Sequence, residues 1–134
     1  MENGLNMRCL TVKNGWSVTS AEMDDLYSEL LAKTKQLDRS IYQLRISGTE
    51  YAEAERDYKI LLRQECLKLR DGGMAIGLLD KTCYGIPSVA EARFKRDVAE
   101  AVYKANLEAI NSLKLQLRLI DAQISREWGF NTST

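Results

Sequence analysis

The chain contains no histidine. That absence removes Ser-His-Asp and Cys-His nucleophilic catalysis, and with them the commonest general base near neutral pH. It also removes the usual nitrogen ligand of structural zinc. The three cysteines, Cys9, Cys66 and Cys83, form no C-x-x-C pair, so no metal or cofactor is expected and the chain reads as a non-enzyme. Cysteines this scattered read as small buried hydrophobes in a reducing compartment. Net charge is absent too, 19 basic residues facing 19 acidic ones, which disfavours wholesale electrostatic binding to nucleic acid. No apolar run approaches the ~20 residues that span a bilayer, and "MENGLNMRCL" lacks the basic start and apolar middle of a signal peptide. A cytoplasmic protein without membrane contact is expected.

Helix breakers are scarce and concentrated. The one proline, Pro87, and four of the eight glycines lie between Arg70 and Asp97, in "RDGGMAIGLLDKTCYGIPSVAEARFKRD". Long uninterrupted helices are therefore expected on either side. Thr19 and Glu22 of "TSAE" form a capping box, which starts a helix at about residue 20. Met23, Leu30, Leu37 and Leu44 then fall seven apart, with Tyr27, Thr34 and Ile41 four residues after the first three. That is a heptad seam, and its phase continues through Tyr51 and Tyr58 to Leu62. Gly48 interrupts the composition but not the phase. It reads either as a kink or as a seam position opened for a bulky group from a facing helix.

Ser88 with Glu91 reads as a second capping box, starting a helix that runs to Trp128 and ends at Gly129. Its seam is Tyr103, Asn106, Ile110, Leu113, Leu117, Ile120 and Ile124, with Phe94, Val98 and Val102 supplying apolar contact before it. Between the long helices, "AIGLLDKTCYG" predicts a short helix at about 78–84, packing Ile76, Leu78, Leu79 and Cys83 inward. Leu115 and Leu119 lie off the main stripe, as do parts of the set Ile60, Leu61, Leu62, Leu67 and Leu69. A helix apolar on two faces contacts more than one neighbour, which predicts a homodimer or higher oligomer through Leu61, Leu67, Leu115 and Leu119.

The expected fold is all-α: an antiparallel, coiled-coil-like hairpin of long helices over 20–134 with a short connecting helix. Residues 1–19 form a separate N-terminal piece. There "MRCLTVKNGWSV" carries alternating Leu10 and Val12 and an Asn14-Gly15 turn signal, which predicts a small hairpin at about 7–12 and 16–19, or else an irregular arm.

The glycine-rich stretch also suggests a phosphate loop. That motif needs a lysine directly after its second glycine and a strand before the loop. Here Lys81 follows Gly77 by four residues, and the preceding "LLRQECLKLRD" is helical in pattern. The stretch reads as a connector, with Asp71-Gly72-Gly73 closing the first helix.

From Tyr51 onward, "YAEAERDYKI", "LRDGGMAIGLLDKTCYG" and "VAEARFKRDVAEAVYKANLEAINSLKLQLRLIDAQISREW" resemble a family of small proteins encoded by phages and prophages of Gram-positive bacteria. The resemblance covers about 51–128. Members tend to carry Thr at the position of Gly77. It implies a non-structural accessory protein of a temperate phage, acting in the cytoplasm of the bacterial host, without implying a particular chemistry.

Three functions are then expected in order. The first is a counter-defence binder that sequesters a nucleotide immune signal or inhibits a defence protein. Its candidate residues are Arg93, Lys95, Arg96, Tyr84 and Tyr103, with Ser88 at the helix N-terminus. The alternative for Arg93 and Arg96 is pairing with Asp80, Asp97 or Glu100 on a solvated face. The second is a protein–protein adaptor for phage replication, recombination or regulation, docking through the helices or through the N-terminal arm around Trp16. The third, nucleic-acid binding along "FKRDVAEAVYK" and "SLKLQLR", is weakened by interspersed acids.

Overall fold

The computed structural model describes residues 10–11 and 17–131, with side chains from 19 to 129. It is all-α: α1 spans Ser20–Asp71, α2 Ile76–Tyr84 and α3 Pro87–Asn131. Ahead of α1, Leu10–Thr11 and Ser17–Val18 are two-residue segments in antiparallel register. These segments fall within the expected N-terminal hairpin, whose Asn14-Gly15 turn lies outside the described residues.

The start of α1 is the expected capping box. The Glu22 amide donates to Thr19 Oγ1 at 3.2 Å, and the Thr19 amide donates back to Glu22 Oε2 at 2.7 Å. The helix runs unbroken past Gly48 to Asp71. It ends as two glycines dictate: Gly73 takes φ +90°, and the amides of Gly72 and Met74 donate back to the carbonyls of Lys68 and Leu69. The start of α3 differs from expectation. Pro87 is its first residue, where a missing N–H costs nothing, and the Ala90 amide donates to Ile86 O. Ser88 therefore lies inside the first turn, and no hydrogen bond joins it to Glu91. The helix also passes Gly129 to end at Asn131.

The chain divides into two compact units. The first comprises the chain up to Ser40 together with Ile110–Thr134. Its buried side chains are Ile110, Leu113 and Ile120 of α3, all on the expected seam. On α1 the inward positions are Met23, Leu26, Leu30, Lys33, Leu37 and Ser40, steps of three and four in strict alternation. The expected companions Tyr27 and Thr34 face solvent. The same seam continues into the second unit as Leu44, Ser47, Tyr51, Ala54, Tyr58 and Leu61, leaving Ile41 outside.

The second unit, Ile41–Ala109, holds the end of α1, all of α2 and the start of α3. Its cross-helix contacts close in step along the chain: Ser47 meets Asn106, Tyr51 meets Tyr103, and Tyr58 meets Arg96. Within this unit the two segments therefore run antiparallel. Asn106 Nδ2 donates to Ser47 Oγ at 2.9 Å, and Ser47 Oγ donates to Leu44 O, so the buried serine is satisfied on both sides. That pair explains the phase. The +3 position of α1 is small and polar here because a polar partner faces it.

On α3 the inward residues of this unit are Val89, Ala92, Arg96, Ala99 and Tyr103. Phe94, Val98 and Val102, expected as early core, are exposed at 62%, 46% and 46%. Two alanines and an arginine stem fill the stripe instead, leaving the larger side chains outside. Gly48 allows a close approach between helices: a Cβ there would sit 3.3 Å from the Tyr103 ring. In α2 only Cys83 is buried and Leu79 half-buried, whereas Ile76 and Leu78, expected inward, are exposed. Cys83 is buried, as expected of a small hydrophobe, and Cys66 is half-buried, but the two are not isolated. α1 and α2 bring Cys66 and Cys83 together with a Cα–Cα separation of 5.7 Å, and their sulfurs are bonded.

Candidate functional site

The start of α3 places four of the expected site residues close in sequence, and the fold sends their side chains different ways. Arg93 lies over the ring of Tyr84 in α2, with its guanidinium carbon 5.6 Å from the centroid. Arg96 lies over Tyr58 of α1 at 4.7 Å. Both are cation–π contacts, the second stronger in kind because Tyr58 is buried and the Arg96 side chain only 22% exposed.

Both arginines also lean on one carboxylate. Arg96 Nε donates to Asp97 Oδ1 at 2.9 Å, and Arg93 Nε lies 4.0 Å from Asp97 Oδ2. The hydrogen bond to Asp97 is the main reason the Arg96 guanidinium holds its proton more tightly than usual; burial works against it. The alternative raised for these arginines, pairing with Asp97, is the arrangement observed. An incoming anion would compete with Asp97 for both.

Lys95 and Ser88 belong to a different recess, of about 540 Å³, where Glu50, Glu53 and Asp57 of α1 face Glu91 of α3. Four carboxylates and one lysine line it, so its field opposes an anionic ligand. The helix N-terminus beside it offers little. Pro87 has no N–H and the Ala90 amide is taken by Ile86, which leaves the Ser88 and Val89 amides.

Tyr103 lies apart from both groups. It stacks on Tyr51 with centroids 6.0 Å apart and planes 19° apart. It also walls an open groove of about 750 Å³ over Gly48, flanked by Arg45 and Arg56 on α1. Trp16 lies outside the described residues. Among the described residues the fold thus joins Arg93 to Tyr84 and brings Lys95 to Ser88, with Tyr103 in a separate place.

Sequence reading missed Arg96 as the cover of Tyr58 and the Gly48–Tyr103 groove as a surface feature. Tyr51 and Tyr58 did stand in the seam phase, which was the available signal. Among the described residues no group of three or more Cys, Asp or Glu is placed to hold a metal ion. No helix there is long and apolar enough to cross a membrane. Compared with known proteins, the chain matches no family model, no curated relative and no solved structure.

Proposed function

We propose that this chain is a non-enzymatic phage accessory protein that acts in the bacterial host by docking on a host protein, in the first place a defence protein that it inhibits. The observation that carries this reading is the exposed apolar row Phe94, Val98 and Val102 on α3, four residues apart and therefore on one helix face. Residues at i, i+4 and i+8 are how a helix enters an apolar groove of a partner. The phage context comes from the resemblance over 51–128. Of the two counter-defence modes, protein inhibition is favoured over sequestering a nucleotide signal, because Asp97 occupies both arginines and the neighbouring recess is acidic.

The test is capture from host lysate with the wild type and with Phe94→Glu/Val102→Glu. The reading expects a defence protein that the wild type retains and the variant loses. A thermal shift with a cyclic or ADP-ribose-type nucleotide, abolished by Arg93→Gln/Arg96→Gln, would favour sequestration instead. Capture of a replication or recombination protein would favour the adaptor role.

A second reading, self-association, rests on Leu115 and Leu119, which stand 57% and 61% exposed one turn apart. Sedimentation tests it: Leu115→Glu/Leu119→Glu should give a monomer where the wild type is a dimer. A wild type that sediments as a monomer at micromolar concentration would remove it.

A further inference from the structure

The second unit contains one piece of chemistry that neither helix packing nor docking uses, the Cys66–Cys83 pair. We infer that it is a thiol–disulfide exchange site, whose substrates are low-molecular-weight thiols and disulfides and whose state decides whether α2 is held against α1. The inference is independent of the docking reading.

Geometry supplies the first argument. The two Cα atoms are 5.7 Å apart, within the range a disulfide spans without moving the backbone. Burial supplies the second. Cys83 is completely shielded, whereas Cys66 is half-buried on α1. An external thiolate therefore reaches Cys66 Sγ and not Cys83. Attack on Cys66 Sγ forms a mixed disulfide and breaks the internal bond, with Cys83 Sγ leaving as a thiolate that takes a proton. A second external thiolate attacks the outer sulfur of that mixed disulfide. Cys66 leaves as a thiolate and is protonated, and the two external thiols become one disulfide. Two electrons have passed to the protein. The reverse sequence, driven by an external disulfide such as oxidised glutathione, closes the pair.

The setting gives the exchange a consequence. In α2, Cys83 is the one buried side chain, while Ile76 is 76% exposed and Leu78 and Tyr84 also face solvent. Gly72-Gly73, with φ +90° at Gly73, precedes the helix, and Gly85-Ile86 follows it. The bond therefore closes a short loop over an element that buries little of its own. Such loops lose their ordering when the cross-link is cut. Opening should loosen residues 72–86, part Tyr84 from Arg93, and leave α1 and α3 helical.

The experiment uses the full chain equilibrated with either oxidised glutathione or dithiothreitol, then alkylated and weighed. After oxidation one alkyl group is expected, at Cys9; after reduction, three. Trypsin should cut after Lys81 at least tenfold faster in the reduced chain, with far-ultraviolet circular dichroism nearly unchanged and a thermal midpoint lower by about 10 °C. Cys66→Ser should cut at the reduced rate under both conditions. Cys83→Ala, which keeps the buried site apolar, should do the same and guards against misfolding of the serine variant. Three alkyl groups after oxidation, equal cleavage rates in the two states, or loss of all helix on reduction would each overturn the inference.

Discussion

The two units are built from one helical pattern and are held together by different chemistry. In the first, the buried side chains are aliphatic, Ile110, Leu113 and Ile120, and the side-chain bonds of Thr34, Ser40 and Gln116 each stay within one helix. In the second, the buried side chains are Tyr58, Val89, the bonded Cys83 and Ser47. Polar and π contacts cross this unit at Ser47–Asn106, Tyr51–Tyr103 and Arg96–Tyr58. Aliphatic burial is non-directional, so it stabilises without selecting among nearby registers. A buried hydrogen bond is satisfied in one register and broken in its neighbours. The second unit therefore specifies its own register, whereas the first is held by burial.

The sharpest way to break this comparison is to remove one buried side chain from each unit. Tyr58→Ala should destabilise the chain by about 3–5 kcal/mol, through the lost ring and the uncovered Arg96 guanidinium. Ile110→Ala should cost about 2–4 kcal/mol. Hydrogen exchange read by mass spectrometry tells them apart. Tyr58→Ala should first lower protection within 41–109, and Ile110→Ala within 20–40 and 110–129. Identical losses everywhere would mean the two units act as one.

Close approach at Gly48 gives the next effect. Gly48→Leu should cost about 2 kcal/mol or more, because the side chain must displace the Tyr103 ring. Gly48→Ala should change stability by less than about 0.5 kcal/mol, since improved helix propensity offsets a Cβ contact of 3.3 Å. Urea unfolding of both variants checks the pair. A destabilisation of Gly48→Ala as large as that of Gly48→Leu would show a backbone that cannot give at all.

The Ser47–Asn106 bond should matter less for stability than for register. Asn106→Leu should cost about 1 kcal/mol, and adding Ser47→Ala should recover much of it, because replacing both partners leaves nothing unsatisfied. Crosslinking between cysteines placed at positions 51 and 103 then reads the register. The double variant should show additional pairings absent in the wild type. A single pairing in both would place the specificity elsewhere.

The smallest effect is that of pH. Arg96 and Lys104 both hold their protons more tightly than usual, chiefly through hydrogen bonds to Asp97 and Glu100 respectively. A base whose pKa rises on folding contributes fully below its unfolded pKa and loses that contribution only as pH climbs past the folded value. Both windows lie on the alkaline side of lysine's ordinary range. With no histidine present, the thermal midpoint should stay flat between about pH 6 and 9. A step within that range would point to a titrating group outside these contacts.

How much of this was legible beforehand differs by residue type. The all-α class, the connector between Asp71 and Pro87, the Thr19–Glu22 cap and the late α3 seam could all be read, because each depends on residues near one another in sequence. Ser47, Ala92 and Arg96 could not be read as inward positions. A serine or arginine in a helix looks like surface until its partner is known, and those partners, Asn106 and Tyr58, lie 59 and 38 positions away. The candidate site suffered the same way. Arg93 and Arg96 were found by type and spacing, but Asp97 draws both guanidiniums and the helix orientation sends Lys95 to an acidic recess.

By itself, then, the sequence determined to within a few residues where the helices start and stop, since capping, proline geometry and glycine freedom act over a few residues. It also determined one apolar stripe on each long helix. Only the tertiary structure decided which of two adjacent phases on α1 faces inward, because Leu26 and Tyr27 are both credible seam residues and the buried Ser47 settles the choice. It also decided that Phe94, Val98 and Val102 stay outside while two alanines go in, and that Cys66 meets Cys83. These are pairwise matters between distant residues. Their free energies exist only once both partners are in place.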